Sequence, residues 1–167
     1  MKELLIMRHG KSSWENPSLD DFDRPLKQRG IKAAGFMGKK VGELSLSPDV
    51  ILSSPAVRAR ETTNIFMDHC NSDPEVQWLE DIYYQDELRV LSHIQKLPDS
   101  YQRAMVVGHN PTLENLGNLF ISKGIVNLKL PTAALIYITF EVNHWNEVTS
   151  GSGILQWLLP PKILQEK

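Results

Sequence analysis

Three short apolar runs constrain this chain most: Leu4-Leu5-Ile6-Met7, Asp49-Val50-Ile51-Leu52-Ser53 and Ala104-Met105-Val106-Val107-Gly108. Each is continuous rather than alternating. A strand with one wet face alternates apolar and polar residues, so a continuous run reads as a strand covered on both faces. Val76-Gln77-Trp78-Leu79 is a less apolar strand candidate, and Leu135 to Phe140 and the region from Trp145 to Leu159 read as late strands. Helical patterns lie between them. Pro25 to Leu44 carries Leu26, Ile31, Ala34, Met37 and Val41, and Asp86 to Leu97 carries the stripe Leu88, Leu91, Ile94 and Leu97. Pro55 to Met67 opens with Ser54-Pro55, and Pro111 to Ile121 follows Asn110; each pair reads as a cap and a first-turn proline. This alternation predicts an α/β chain: a three-layer α/β/α sandwich with a mainly parallel central sheet. In such sheets ligands bind beyond the carboxyl ends of the strands.

Length and charge narrow the options. The 167 residues suit one domain spanning 1–167. The 18 basic and 20 acidic residues give a net charge of −2, which argues against a nucleic-acid binder. The single cysteine, Cys70, excludes an internal disulfide and a Cys-rich zinc site, and reads as a structural or exposed thiol. The apolar stretch near the start holds only Leu4 to Met7, short of the about 7–15 apolar residues of a leader and the about 20 of a membrane span. A cytoplasmic protein without membrane association is expected.

Three strand ends carry unusual residues. The first runs into Arg8-His9-Gly10, the second into Ser53-Ser54-Pro55 with Arg58 and Arg60 close behind, and the third into Gly108-His109-Asn110-Pro111. Parallel strands would bring all three to one edge. That set suits a phosphoryl group. Arginine presents a rigid fork of donors that matches phosphate oxygens, and histidine can attack phosphorus to form a phosphohistidine. A second, protonated histidine can stabilise the equatorial oxygens. Phosphoryl transfer needs mainly positioning and positive charge, so arginines and histidines can serve without a metal.

These residues resemble the histidine phosphatase (phosphoglycerate mutase-like) superfamily, and within it the SixA-type phosphohistidine phosphatases. The likeness runs through Arg8 to Trp14, Asp20 to Leu26, Ser53 to Thr62, Val106 to Pro111 and Leu130 to Ala134, in the family's order. The resemblance implies that His9 is the nucleophile, that Arg8 and Arg58 hold the phosphoryl oxygens, and that His109 completes the pocket as a charged donor. It implies no metal and no organic cofactor. Larger members continue to a Trp-Asn pair whose asparagine binds phosphate; here Glu15 follows Trp14, so that contact is not carried over. Glu80 lies where ester-cleaving relatives keep a general acid. Phosphohistidine has an activated P–N bond and needs that acid less than an alkyl phosphate does.

The expected activity is therefore removal of phosphate from phosphohistidine on a partner such as a histidine phosphotransfer domain, through a covalent intermediate on His9. The alternatives are a phosphomonoesterase acting on a small phosphorylated metabolite, a phosphoglycerate mutase, or a non-catalytic phosphate-binding module. Bland readings fit the rest. Asp23-Arg24-Pro25 reads first as an ion pair and turn fixing the next helix, and only second as part of the substrate entrance. Arg60 reads as a neighbour pairing with Glu61 or an aspartate, and the acidic run Asp20 to Asp23 as a solvated loop. Trp14 reads as a pocket wall or a packing anchor, and His69, His93 and His144 as surface or packing residues.

Overall fold

In a computed structural model, which describes residues 1–122, 124 and 126–164, the continuous apolar runs lie side by side. The strands are β1 (Lys2–Arg8), β2 (Val50–Ser53), β3 (Glu75–Trp78), β4 (Arg103–Gly108), β5 (Leu135–Phe140) and β6 (Gly153–Leu159). They form a six-stranded sheet in the order β3-β2-β4-β1-β5-β6. The first four strands are mutually parallel where they pair, and β5 runs antiparallel to both β1 and β6. The runs are continuous because both faces are covered. Successive side chains of a strand point to opposite faces. Leu4 and Ile6 of β1 join one core with Val50, Leu52, Ala104 and Val106. Leu5 and Met7 join the other with Ile51, Met105 and Val107.

The helices are α1 (Gln28–Glu43), α2 (Val57–His69), α3 (Asp81–Tyr84), α4 (Glu87–Ile94), α5 (Thr112–Ile121) and α6 (Pro161–Leu164). On one face α1 supplies Ala34, Met37 and Val41, and α2 supplies Ala59 and Phe66. On the other, α3 supplies Ile82, α4 supplies Val90 and Ile94, and α5 supplies Leu113, Leu116 and Phe120. Fully buried side chains such as Phe66 and Phe120 each stabilise the fold by about 2–3 kcal/mol. The layers are those read from the sequence, and the sheet is mostly parallel.

Several boundaries shift. α1 begins at Gln28 rather than Pro25, because Leu26 is taken up in an isolated antiparallel bridge with Ser12. Neither cap-proline pair behaves as expected. The residue before α2 is Ala56, whose N–H donates to Ser54 Oγ at 3.3 Å while that hydroxyl also bonds to His109; the residue before α5 is Pro111, and the Asn110 amide reaches back to the Leu130 carbonyl at 3.0 Å. The late region from Trp145 divides into a 3-10 turn, Trp145–Glu147, and then β6. Asp86 does cap α4, accepting from the Arg89 N–H at 3.1 Å. Among the described residues no helix is long and apolar enough to cross a membrane.

Candidate active site

The parallel registers decide where the chemistry-bearing residues fall. Arg8 of β1 pairs with Gly108 of β4, and Ser53 of β2 pairs with Val107. The three strands therefore end level, and His9, Ser54 and His109 emerge together at the carboxyl edge. The His9 main chain is held from several sides. Its N–H donates to the Gly108 carbonyl at 3.0 Å, and its carbonyl accepts from the Ala133 N–H at 3.1 Å. The next N–H, of Gly10, donates to Thr62 Oγ1 on α2 at 2.9 Å. Gly10 is required by close approach: a Cβ there would stand 2.8 Å from the Gly30 carbonyl oxygen at the start of α1.

The His9 ring is oriented by its own loop. Nδ1 lies 2.6 Å from the Gly10 carbonyl oxygen. A carbonyl only accepts, so Nδ1 carries the proton and Nε2 keeps its lone pair. Arg58 Nε, from the first turn of α2, donates to that Nε2 at 3.3 Å. The His9 and His109 ring centroids are 5.0 Å apart, and His109 Nε2 shares a 2.8 Å hydrogen bond with Ser54 Oγ. Arg8 donates through Nη1 to the Leu130 carbonyl at 3.0 Å. His9, Arg58 and His109, separated widely in sequence, thus meet at one edge of the sheet, and the charge of Arg8 acts on both histidines.

Burial and positive charge set the protonation states. The His9 value falls to about 4, first through burial and then through Arg58, Arg8 and Arg24, against the pull of the Gly10 carbonyl. His109 falls to about 3, again first through burial and then through His9, Arg58 and Arg8, with Asp21 acting in the opposite sense. Burial also lowers Arg8, partly offset by Glu114. Both histidines are therefore neutral at neutral pH in the free protein. For His9 this is the nucleophilic form. For His109, the charged donor that the resemblance implies requires an anion that supplies compensating charge.

Residues read as bland turn out to border the pocket. Arg24 is 7% exposed, pairs with Asp21 rather than Asp23, and adds positive charge at His9. Its guanidinium carbon lies 3.5 Å from the centroid of the exposed Trp14 ring, which roofs it. Tyr83 of α3 packs edge-on against His109 at 5.2 Å and donates its hydroxyl to Asp21 at 2.9 Å. The buried side-chain nitrogens without a hydrogen-bond partner among the described residues are Arg8 Nε, Arg24 Nε and Nη1, and His109 Nδ1. Such atoms are normally paired, and a bound oxyanion is a fitting partner for them. The sequence signal for Arg24 was its place in the Asp20 to Leu26 block; only the fold brings that block over His9.

Other expected residues stand apart. Glu80 is exposed at the head of α3, and it is Tyr83 of that helix that reaches His109. Glu15 pairs with Lys27 at 3.4 Å. Arg60 lies over the Trp78 ring at 5.0 Å instead of pairing with Glu61, whose carboxylate accepts from the Leu26 N–H. His69, His93 and His144 bond to Ile65, Asp81 and Asp99 respectively, and Cys70 is buried. Among the described residues no group of three or more His, Cys, Asp or Glu side chains is placed to hold a metal ion.

A family model for the histidine phosphatase superfamily (branch 1) matches residues 4–86. The chain belongs to this superfamily. A candidate phosphohistidine phosphatase SixA from Agrobacterium tumefaciens shares the histidine phosphatase fold with a TM-score of 0.82 and 26% identity, over 96% of this chain and 98% of that one. A protein histidine phosphatase SixA solved with tungstate superposes with a TM-score of 0.85 at 22% identity, over 98% of this chain and 99% of the other. In sequence, an uncharacterized protein of Mycobacterium tuberculosis is 31% identical over 89% of this chain and 96% of its own length. A 2,3-bisphosphoglycerate-dependent phosphoglycerate mutase of Chlamydia abortus is 35% identical over 50% of this chain and 40% of its own. The histidine phosphatase likeness thus spans nearly the whole chain for the SixA structures and half of it for the mutase.

Proposed function

We propose that this histidine phosphatase acts in the cytoplasm as one domain and removes phosphate from phosphohistidine on a partner protein, with His9 as the covalent nucleophile. The observation that carries this reading is the fixed His9 ring. Nδ1–H is tied to the Gly10 carbonyl at 2.6 Å, and the unprotonated Nε2 accepts from Arg58 Nε at 3.3 Å, with His109 beside it and the charges of Arg8 and Arg24 acting on it.

The chemistry follows from that placement. The Nε2 lone pair of His9 attacks phosphorus in line. As the new P–N bond forms, the bond to the substrate imidazole breaks and its electron pair stays on the departing ring. Arg8, Arg58 and Arg24 hold the equatorial oxygens, and His109, drawn toward its protonated form by the phosphoryl charge, donates to them. Water then attacks phosphorus from the vacated side, and the bonding pair returns to His9 Nε2. The water proton leaves with inorganic phosphate or passes to solvent. The chain's own nitrogens provide the positive charge this needs.

Two features support a phosphohistidine substrate. Glu80 is exposed, and its side chain makes no hydrogen bond with the pocket residues. An ester leaving group gains about 10²–10⁴-fold from a positioned general acid, whereas a phosphohistidine ring already protonated on its free nitrogen departs as neutral imidazole without one. In addition, the connection from β3 to β4 holds only the short helices α3 and α4, so a protein-borne phosphohistidine can reach the pocket edge. The test is phosphate release from a phosphohistidine-bearing protein and, in parallel, from a panel of sugar phosphates and nucleotides, with wild type beside Glu80→Gln. Release from the phosphoprotein that is indifferent to Glu80→Gln supports the proposal. Faster release from the esters, lost in Glu80→Gln, would make the enzyme a small-molecule phosphomonoesterase.

A further inference from the structure

Asp21 reaches into the pocket from the 3-10 turn Asp21–Asp23. Its main-chain carbonyl accepts from Arg58 Nη1, and its Oδ2 accepts from Arg58 Nη2 at 2.8 Å. The same Oδ2 accepts the Tyr83 hydroxyl at 2.9 Å, and Oδ1 accepts from Arg24 Nη2. Arg58 Nε is on His9. Three of the five Arg58 N–H donors are therefore engaged in the free protein, and the pair of terminal nitrogens that could take two oxygens at once faces Asp21. A phosphoryl group that binds this end of the fork with two oxygens competes with Asp21 for it. The Arg58 side chain is 6% exposed and that of Asp21 51%, so the arginine is fixed by its packing and the carboxylate is the partner free to move.

Displacement leaves a carboxylate beside a phosphoryl group, and like charges close together are costly. Burial tends to raise the Asp21 value, but the Tyr83 hydroxyl, Arg58 and Arg24 together hold it below the ordinary range, so it is ionised at neutral pH. A substrate that brings a cation relieves the repulsion. An alkoxide or aryloxide leaving group brings none. A phosphohistidine ring protonated on its free nitrogen does.

We propose that Asp21 is a specificity-determining residue: it competes with the phosphoryl group for Arg58, and it favours a substrate whose phosphoryl-bearing ring is a cationic, protonated imidazole. This rests on the phosphohistidine reading. While the ring is bonded to phosphorus, its free N–H donates to the Asp21 carboxylate. When His9 Nε2 bonds to phosphorus, the old P–N pair goes to the ring nitrogen and neutral imidazole departs. Selectivity of this kind arises from a repulsive element as much as from an attractive one.

Two readouts test it on the full chain, with Asp21→Asn and Asp21→Ala beside wild type. The first is kcat/KM on a histidine peptide phosphorylated with phosphoramidate and on p-nitrophenyl phosphate. The second is the Kd of inorganic phosphate by calorimetry, which needs no turnover. Removing a half-exposed competing charge predicts phosphate binding about five- to tenfold tighter. The peptide-to-ester ratio of kcat/KM falls by about tenfold, chiefly through the peptide. If Asp21 merely orients Arg58, both activities fall together, the ratio holds and phosphate binds no tighter in either variant; that result overturns the proposal. Wild type inert toward the peptide, with phosphate binding still tightened in the variants, would instead remove the phosphohistidine reading and keep the competition for Arg58.

Discussion

Lowering the pH from 7 to 5 tests the electrostatics of the pocket through the stability of the whole fold. The folded values of His9 and His109, about 4 and about 3, both lie below the unfolded value of 6.5. The unfolded chain therefore binds the two protons first. Stability falls as pH drops below 6.5 and goes on falling until the folded values are reached. Between pH 7 and 5 each histidine contributes a loss of about 2 kcal/mol, because the unfolded ring is almost fully protonated at pH 5 and the folded ring is not. Both rings stay neutral in the folded state across this window, so their mutual repulsion does not enter and the pair costs about 3–4 kcal/mol. The carboxylates whose values are lowered, among them Asp21, Asp81 and Asp99, titrate below the window. His144 is raised by Asp99 and acts in the opposite sense, but it is exposed. Urea denaturation at pH 7, 6 and 5 measures the effect, with a His9→Asn, His109→Asn double variant as the reference. The wild-type loss should exceed that of the double variant by about 3 kcal/mol. A difference below about 0.5 kcal/mol would refute the burial argument for both rings.

Other outcomes follow from single contacts. Arg58→Ala removes the donor on His9 Nε2 and should lower kcat/KM by about 10²–10³-fold while thermal unfolding still shows a folded protein. Gly30→Ala places a Cβ 2.5 Å from the Lys11 carbonyl oxygen and 2.7 Å from its nitrogen. The backbone behind His9 must shift, costing about 1–3 kcal/mol in a urea melt and lowering turnover. Glu80→Gln, in an exposed position, should leave hydrolysis of a phosphohistidine protein within about twofold, since an activated leaving group gains little from a general acid.

The centre of the fold was legible because burial on both faces forces apolar residues into β1, β2 and β4, and that pattern survives in the bare sequence. The direction of β5 was not. Leu135 to Phe140 reads as a strand, but nothing in six apolar-rich residues says that it pairs antiparallel with β1. The helix starts were misplaced for a definite reason. Ser54 and Asn110 have the chemistry of caps, yet Ser54 reaches only the Ala56 N–H ahead of α2 and is shared with His109, and Asn110 turns to the Leu130 carbonyl. Of the site, Arg8, His9, Arg58 and His109 stood out because each follows a strand or opens a helix. Arg24, Asp21 and Tyr83 did not, since their roles depend on a loop folding back over His9, and no local pattern encodes that contact. The same holds for the protonation state of His109, which is set by burial and by charges distant in sequence.

The central claim is that His9 itself carries the phosphoryl group, and the most direct test is to trap it. Wild type is mixed with a phosphohistidine protein labelled on phosphorus, quenched within the first turnover under conditions that spare P–N bonds, and digested for mass spectrometry. The account predicts an acid-labile phosphate on the peptide holding Arg8-His9-Gly10, and neither label nor phosphate release in His9→Ala. Phosphate release by His9→Ala at the wild-type rate, or label on His109 with none on His9, would contradict it.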